Sequence, residues 1–227
     1  MPALQRRQAI VEASRPLFAQ NGFRGTSVRD IARAANVSEA LLYKHFASKE
    51  EIYEDVMDYA GKVSATGVDQ LHDLEPGTEA LVAHIYFLVR VILLVVPGLQ
   101  DEQQWHERIL YRSLLGDTKY ARTHFQRIRR MVEKRMSRCF DSAAEAGDLE
   151  AVPIGNLNRM WFVHHLAMAL NFSHMSDEPA FEYEGTREEL VEQAVLFCLR
   201  GIGMTESAIE RYFRPNRLRE IFEHLHA

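Results

Sequence analysis

Residues 26–50 read TSVRDIARAANVSEALLYKHFASKE, a stretch rich in helix start and turn signals. Ser27 followed by Asp30 is a capping-box pattern, in which each side chain satisfies a free backbone N–H of the other residue. Thr26 could equally be the capping residue. Asn36 suits a tight turn, because asparagine tolerates a left-handed backbone. The pattern predicts a short helix that ends in a tight turn.

Further start signals lie on either side of that turn. Ser38 is placed to cap a third short helix over residues 39–46. Ser48 opens a second capping box and predicts a long helix that runs toward about residue 71. Upstream, the apolar periodicity of residues 4–21 predicts a first amphipathic helix that an Asn-Gly pair ends. Two short helices joined by a tight turn indicate a helix-turn-helix.

The rest of the chain keeps a helical period, and no long stretch alternates like a strand. The predicted helices cover residues 79–96, 101–115, 119–146, 154–175, 186–202, 205–213 and 215–225. We therefore expect an all-α protein with an N-terminal three-helix DNA-binding domain at residues 1–50. A larger helical domain for ligand binding and dimerisation follows at residues 51–227, with the boundary inside the long helix rather than at a flexible linker.

The charge distribution agrees with a DNA-binding head. The 227 residues carry a net charge of −5, which by itself argues against a nucleic-acid binder. Residues 1–50, however, hold eight basic and four acidic side chains, a net charge of +4, which leaves −9 for the other 177 residues. A basic head on an acidic body is typical of a DNA-binding domain joined to another domain. On charge alone, chance clustering explains this equally well.

Composition excludes several classes of protein. With 47% hydrophobic and 26% charged residues, the chain has the mix of a globular domain. Its two cysteines, Cys139 and Cys198, lie far apart, which argues against a disulfide framework and for a reducing compartment. No apolar run follows the N-terminal arginines, so a signal peptide is not expected. The most apolar segment, residues 80–96, is too short for a membrane span, and we expect a cytoplasmic protein.

The two faces of the helix-turn-helix carry different side chains. The inner face is expected to hold the apolar residues Val28, Ile31, Val37, Leu42 and Phe46. What remains to point outward is Glu39, Ala40, Leu41, Tyr43, Lys44 and His45. An exposed leucine, tyrosine and lysine on so short a helix are poorly explained by packing, and such side chains can reach base edges and phosphates.

At this point residues 6–57 resemble the DNA-binding domain of the tetracycline-repressor (TetR) family of bacterial regulators. The matching stretches are FAQNGF at 18–23, GTSVRDIA at 25–32, VS at 37–38, LYKHF at 42–46 and SKE at 48–50. The resemblance implies that Thr26 or Ser27 contacts phosphate and that Tyr43 and Lys49 hold the DNA backbone. It also implies that the major groove is faced by Ser38, Glu39, Ala40, Leu41 and Lys44. The remaining three quarters of the chain show only a compatible helix pattern.

Two positions depart from the family pattern. Ala40 stands where the family often has glycine, and Leu41 where it often has threonine. Leucine lacks the hydroxyl of threonine but can contact a thymine methyl group. We expect base reading to depend on apolar contact with thymine and on Lys44 with guanine.

The body of the chain is expected to supply a dimer interface and a ligand pocket. Residues 156–175 and 187–202 show apolar side chains over more than one face, as helices between a core and a partner do. The resemblance likewise implies that two late helices pair into a four-helix dimer bundle. The residues proposed to bind an effector are Phe87, Arg90, Trp105, Phe125, Trp161, His165, Met168 and Phe172. Each of them could instead simply fill a helical core.

Arg90 is the polar candidate among them. With a nearby histidine it could hold a ligand carboxylate, or it could pair with an internal acid such as Asp101 or Glu102. We expect an apolar or aromatic effector. The ten histidines lack the i,i+3 or i,i+4 spacing of helical metal sites, and no catalytic or phosphate-loop motif occurs, so no metal, cofactor or enzyme activity is expected.

The leading hypothesis is a ligand-responsive repressor that binds a palindromic operator as a homodimer and is released by a small, largely apolar effector. Two alternatives stay open. One is a constitutive dimeric DNA-binding protein without an effector. The other is a helical enzyme with an incidental helix-turn-helix.

Overall fold

The computed structural model describes residues 2–65, 74–94, 100–116, 118–173, 175, 178 and 182–224. In chain order its helices are α1 Ala3–Gly25, α2 Val28–Ala34, α3 Glu39–Tyr43, α4 Lys49–Ala65, α5 Thr78–Leu93, α6 Gln100–Leu115, α7 Lys119–Glu145, α8 Asn156–Phe172, α9 Arg187–Gly201, α10 Glu206–Tyr212 and α11 Pro215–His224. An isolated antiparallel bridge joins Leu149 and Met204. The predicted all-α class is confirmed over these residues.

Several helix ends differ from the predicted ones. Helix α3 ends at Tyr43 rather than at residue 46, because the Leu42 carbonyl accepts hydrogen bonds from the backbone N–H groups of both His45 and Phe46. This tightened last turn redirects the chain toward α4. Helix α8 ends at Phe172, short of residue 175. The predicted ends of the long helix and of the apolar helix, residues 66–71 and 95–96, lie outside the described residues.

Internal contacts divide the chain into two compact units. The first consists of Met1–Ser64 and Pro97–Gln126, and the second of Ala65–Val96 and Arg127–Ala227. The first unit thus contains α1, α2, α3 and α6, nearly all of α4 and the start of α7. A domain boundary after residue 50 stays a prediction about where the DNA-binding part ends.

The first unit is built around helix α1. This helix packs against α2 and α6, and its buried Phe18 ring meets the Tyr53 ring edge-on with centroids 4.8 Å apart. Phe23 lies 5.0 Å from the same ring. The large, fully buried apolar side chains of this unit are Ile10, Phe18, Ile31, Leu42, Phe46, Ile52 and Val56. Such a core fixes the angles of short helices that would be marginal in isolation.

Two residues with positive φ shape this head. Gly22 has φ 68° and ψ 178°, which interrupts α1 one residue after Asn21, where the sequence predicts an end signal. Asn36 has φ 52° in the turn between α2 and α3. There the N–H of Val37 donates to the Ala32 carbonyl and the N–H of Asn36 to that of Arg33, which closes the turn as a Schellman motif. The predicted tight turn is confirmed.

In the second unit, helix α5 is the buried centre. It packs against α8 and α9, with further contacts to α10 and α11. The residues from Leu81 to Phe87 are all buried, as expected for a helix that is apolar on all sides. The Thr78 hydroxyl at its start donates to the Asp148 carboxylate over 2.6 Å. Since both groups are buried, leaving them without a hydrogen bond would destabilise the fold, and this bond avoids that cost.

Candidate nucleic-acid interface

The helix-turn-helix is held by side-chain caps at both of its N-termini. The Ser27 hydroxyl accepts a hydrogen bond from the N–H of Asp30 over 3.1 Å, and the Asp30 carboxylate accepts from the N–H of Ser27. At α3, the Ser38 hydroxyl accepts from the N–H of Leu41 over 3.1 Å. These caps anchor helices of seven and five residues.

Helix α3 presents a surface suited to a groove. Of the residues expected to point outward, Glu39, Ala40 and Lys44 are exposed, Tyr43 is 52% exposed and His45 is half-buried. Leu41 is half-buried, so that its side chain lies at the edge of the core. Ser38 is exposed just before the helix, and Lys44 and His45 follow it in the turn. The arrangement offers hydroxyl, carboxylate, methyl and ammonium groups within one short surface.

At the start of α2 the structure distinguishes Thr26 from Ser27. Ser27 is the N-cap and is exposed. Thr26 is only 1% exposed, and its hydroxyl lies 2.9 Å from the Gly22 carbonyl and 3.1 Å from that of Leu17. This corrects the expectation for the Thr26 side chain, because a buried hydroxyl directed at the end of α1 does not face a phosphate.

Charge at the start of α2 is balanced locally. The Asp30 carboxylate accepts the Ser27 hydroxyl at 2.5 Å and pairs with Arg33. The Ser27 hydrogen bond, helped by Arg33 and Arg29, holds the pKa of this carboxyl below its ordinary value. Arg29 and Arg24 are exposed, which leaves basic groups on the surface of the head.

Lys49, expected at the DNA backbone, is engaged inside the head. Its ammonium donates to the carbonyls of Phe23 over 2.8 Å and Thr26 over 2.9 Å. The same nitrogen lies 4.2 Å from the centroid of the Phe23 ring. These contacts differ from those expected of a phosphate-binding side chain.

Arg7 contacts three parts of the head, and the sequence does not single it out. Its guanidinium donates to Asp55 over 2.8 Å, to Glu51 over 2.9 Å and to the carbonyl of His45. It also lies 4.1 Å above the Phe46 ring. Arg7 thereby joins α1, α4 and the turn after α3. Its only signal in the sequence is an i,i+4 pair of acids on α4, which does not name its partner.

The proposed effector residues do not all fall in one unit. Trp105 and Phe125 belong to the first, and the other six belong to the second. Phe87 and Met168 are buried and Trp161 is half-buried. Arg90 is buried, and its guanidinium donates to the Glu188 carboxylate on α9. Glu188 is therefore an acid that pairs with Arg90. The expected partners are Asp101 and Glu102, whose side chains are not among those that the structure describes.

His165 and Phe172 differ from the pocket expectation. Both are exposed and lie on the same outward face of α8 as Phe162, at helical spacing. The His165 ring stacks on Trp161 with centroids 5.6 Å apart, and partial desolvation of the ring lowers the pKa of this imidazole. On α9, Phe197 is 68% exposed. Large apolar side chains thus stand outward on the two helices expected to form a dimer.

Within the described part of the chain, no three His, Cys, Asp or Glu side chains are grouped as metal ligands. No helix among the described residues is long and apolar enough to cross a membrane.

Relatives of the chain match part of its length. Residues 10–56 match the bacterial regulatory proteins of the tetR family. The HTH-type transcriptional repressor KstR2 of Rhodococcus jostii is 36% identical over 122 residues, which cover 49% of this chain and 58% of that protein. The chain therefore matches less than two thirds of this relative's length.

Solved structures share the fold over most of the chain. AibR, solved with isovaleryl coenzyme A and operator DNA, has a TM-score of 0.61 at 19% identity, covering 85% of this chain and 97% of that one. KstR2 of Mycobacterium tuberculosis, a ketosteroid transcriptional regulator, has a TM-score of 0.56 at 19% identity, covering 88% and 96%. At these identities the likeness shows the fold alone. Residues 10–56 therefore form an N-terminal domain of the tetR family of bacterial regulatory proteins.

Proposed function

We propose that this chain is a ligand-responsive transcriptional repressor that binds a palindromic operator as a homodimer and is released by a small, largely apolar effector. The observation that carries the proposal is the capped helix-turn-helix, whose α3 surface stands exposed within a domain of the tetR family. The repressor named among its relatives supports repression rather than activation. Because the family consists of regulatory proteins, the enzyme alternative loses its basis.

The proposed DNA contacts are side chains that are exposed or half-buried at the surface of the head. Residues assigned to the major groove are Ser38, Glu39, Ala40, Leu41 and Lys44, while Ser27, Tyr43 and His45 are assigned to the flanking backbone and groove edge. Lys44 supplies two N–H donors to guanine, and Leu41 supplies methyl groups to thymine. Thr26 and Lys49 are left out, because their polar atoms bond to backbone carbonyls of the head.

A homodimer is supported by the outward face of the second unit. Phe162 and Phe172 on α8 and Phe197 on α9 are 58%, 56% and 68% exposed. The two helices contact each other, so these rings are candidates for one apolar surface. A twofold pairing of two copies through this surface would bury these rings in both subunits. It would also supply the two recognition helices, spaced by about 34 Å, that a palindromic site requires.

The effector is proposed to be largely apolar. Phe87 and Met168 are buried on α5 and α8, helices that pack together in the second unit. Since Arg90 already faces Glu188, a carboxylate anchor at Arg90 is not part of the proposal. The isovaleryl coenzyme A complex of AibR supports a ligand with a small apolar group. To change operator occupancy, the effector must favour one conformation by a few kcal/mol, and it would do so in the cytoplasm, where the operator lies.

Selection of bound duplexes from a random DNA pool tests the proposal. Full-length protein is used near physiological salt, where non-specific phosphate binding is reduced. The expected result is a palindrome with half-sites about one helical turn apart. The selection is repeated after refolding from denaturant, which removes any bound ligand. No enrichment in either arm would overturn the DNA-binding function.

The effector is tested on the selected operator. Short branched acyl-coenzyme A thioesters and apolar steroid acids are titrated into the complex, and the fraction bound is followed by fluorescence anisotropy. Release by at least one of these compounds, with protection of the free protein against unfolding, supports a ligand-responsive repressor. Unchanged operator affinity across both classes, together with no ligand extracted from the purified protein, would favour the constitutive alternative.

A further inference from the structure

The junction between α1 and α2 depends on side chains from three places in the head. The backbone of Gly22 is not helical and interrupts α1. Carbonyls at the end of a helix need partners from outside it. The buried Thr26 hydroxyl lies within hydrogen-bond distance of the Leu17 and Gly22 carbonyls. Two further carbonyls, those of Phe23 and Thr26, accept from the Lys49 ammonium. Oxygen atoms at this junction are thus satisfied by one hydroxyl and one ammonium group.

Lys49 links this junction to the start of α4. It is the first residue of α4, while Thr26 directly precedes Ser27, the N-cap of α2. Two N–H groups of the ammonium are directed at carbonyls, and the Phe23 ring lies 4.2 Å from the nitrogen. A cation at the carbonyl end of a helix is favoured by the helix dipole, and its hydrogen bonds are charge-assisted.

We propose that Lys49 is a positioning residue, whose ammonium fixes the start of α2 relative to α4 through the Phe23 and Thr26 carbonyls instead of neutralising a DNA phosphate. The inference rests on the proposed operator binding. If Lys49 has this role, its removal disturbs the orientation of the helix-turn-helix, yet leaves the number of ion pairs with DNA unchanged.

Salt dependence separates the two roles. A lysine that neutralises a phosphate contributes about 0.9 to the slope of log K against log salt concentration, and its loss weakens binding to all sequences about equally. A positioning residue leaves the slope unchanged. Its loss weakens the specific complex more than the non-specific one, because only the specific complex needs exact placement of α3.

The variants are chosen so that each role has a matched reference. Lys49→Met removes the ammonium and keeps the stem. Lys44→Met removes an equal charge from an exposed side chain of the same head. Thr26→Val removes a buried hydroxyl from the same junction without changing the charge. Lys49→Gln is neutral but keeps N–H donors, so it can restore one carbonyl bond.

Operator and random-duplex affinities are measured for each full-length variant between 50 and 200 mM salt, a range over which counterion release dominates the change. Lys49→Met is expected to lose about ten-fold in operator affinity, since hydrogen bonds to a charged group contribute on this scale, with a wild-type slope. The loss of operator affinity and the unchanged salt slope of Lys49→Met should thus resemble those of Thr26→Val. Lys49→Gln is expected to recover part of the loss.

A slope that falls by about 0.9 in both Lys49 variants, with equal losses on operator and random DNA, would overturn the positioning role. Thermal unfolding of each variant establishes that the titrated protein is folded. If Lys49→Met does not fold, the salt slope of Lys49→Gln decides, with that of Lys44→Met as the reference for loss of one charge at DNA. Absence of operator binding by the wild-type protein would instead refute the proposed function, which keeps the two failures distinct.

Discussion

The guanidinium of Arg7 lies 2.9 Å from the carboxylate of Glu51, and this pair joins the first helix to the fourth. A second oxygen of the same carboxylate accepts the backbone N–H of Ala47 over 2.6 Å. The N–H of Glu51 in turn donates to the Ser48 hydroxyl. The predicted capping box at Ser48 therefore exists in a shifted form, because the carboxylate reaches the residue before the cap and not the cap itself.

Replacing Arg7 is expected to destabilise the head. Arg7→Met removes donors to two carboxylates and to the His45 carbonyl while keeping apolar contact with Phe46. We expect a loss of about 1–3 kcal/mol in the free energy of unfolding, the usual range when a hydrogen-bonded network is broken. Urea denaturation followed by circular dichroism measures it. Arg6→Met is the matched control, and an equal loss there would contradict the role of Arg7.

The pKa of Glu51 gives a pH-dependent prediction. Hydrogen bonding from the Ala47 N–H and the pairing with Arg7 hold this pKa below its ordinary value of 4.5. A carboxyl whose pKa is lowered on folding adds stability above its unfolded pKa, and that stability is lost as the pH falls through the folded pKa. Glu51→Gln should therefore be less stable than wild type at pH 7, and the difference should shrink below about pH 4.5.

Unfolding midpoints measured from pH 7 to pH 3 test this. Glu50→Gln, at the neighbouring exposed position, serves as control for the loss of one negative charge. A stability difference for Glu51→Gln that stays constant over the whole pH range would show that its carboxylate does not stabilise the fold.

Sequence reasoning recovered the elements of the head because their signals are local. The caps at Ser27 and Ser38 act on backbone groups three residues away, and the positive φ of Asn36 follows from its own side chain. The apolar period likewise identified Ile31, Leu42 and Phe46 as core, and all three are buried.

Long-range polar contacts could not be predicted in the same way. Lys49 and Phe23 are 26 positions apart, Arg7 and Asp55 are 48 apart, and Arg90 and Glu188 are 98 apart. A charged side chain names the class of its partner but not its place in the chain. For this reason the sequence predicts that Lys49 faces DNA, although its ammonium donates to carbonyls of its own head.

Leu41 is expected to determine base preference at one position of the operator. Leu41→Thr replaces methyl groups with a hydroxyl that can donate to or accept from a base edge. Because a mismatched base pair costs about 1–3 kcal/mol, preference at the contacted position should change by roughly ten-fold. Repeating the duplex selection with the variant measures this. If the variant selects the same site as the wild type, Leu41 does not read bases.

The outward face of α8 and α9 is expected to control assembly. Phe197→Glu places a carboxylate where the proposed interface is apolar, and twofold symmetry introduces the charge twice. Each buried phenylalanine contributes about 1.5–3 kcal/mol, so the loss of two rings together with burial of charge should convert the dimer to a monomer at micromolar concentration. Sedimentation velocity measures the assembly state.

Leu115→Glu is the matched control for that substitution, since Leu115 is 88% exposed but belongs to the first unit. This variant should remain dimeric. The monomeric Phe197→Glu protein should bind an isolated half-site as the wild type does, yet lose the tight binding of the full palindrome, because only a dimer engages both half-sites at once. A dimer that persists in Phe197→Glu and in Phe162→Glu would place the interface elsewhere on the chain.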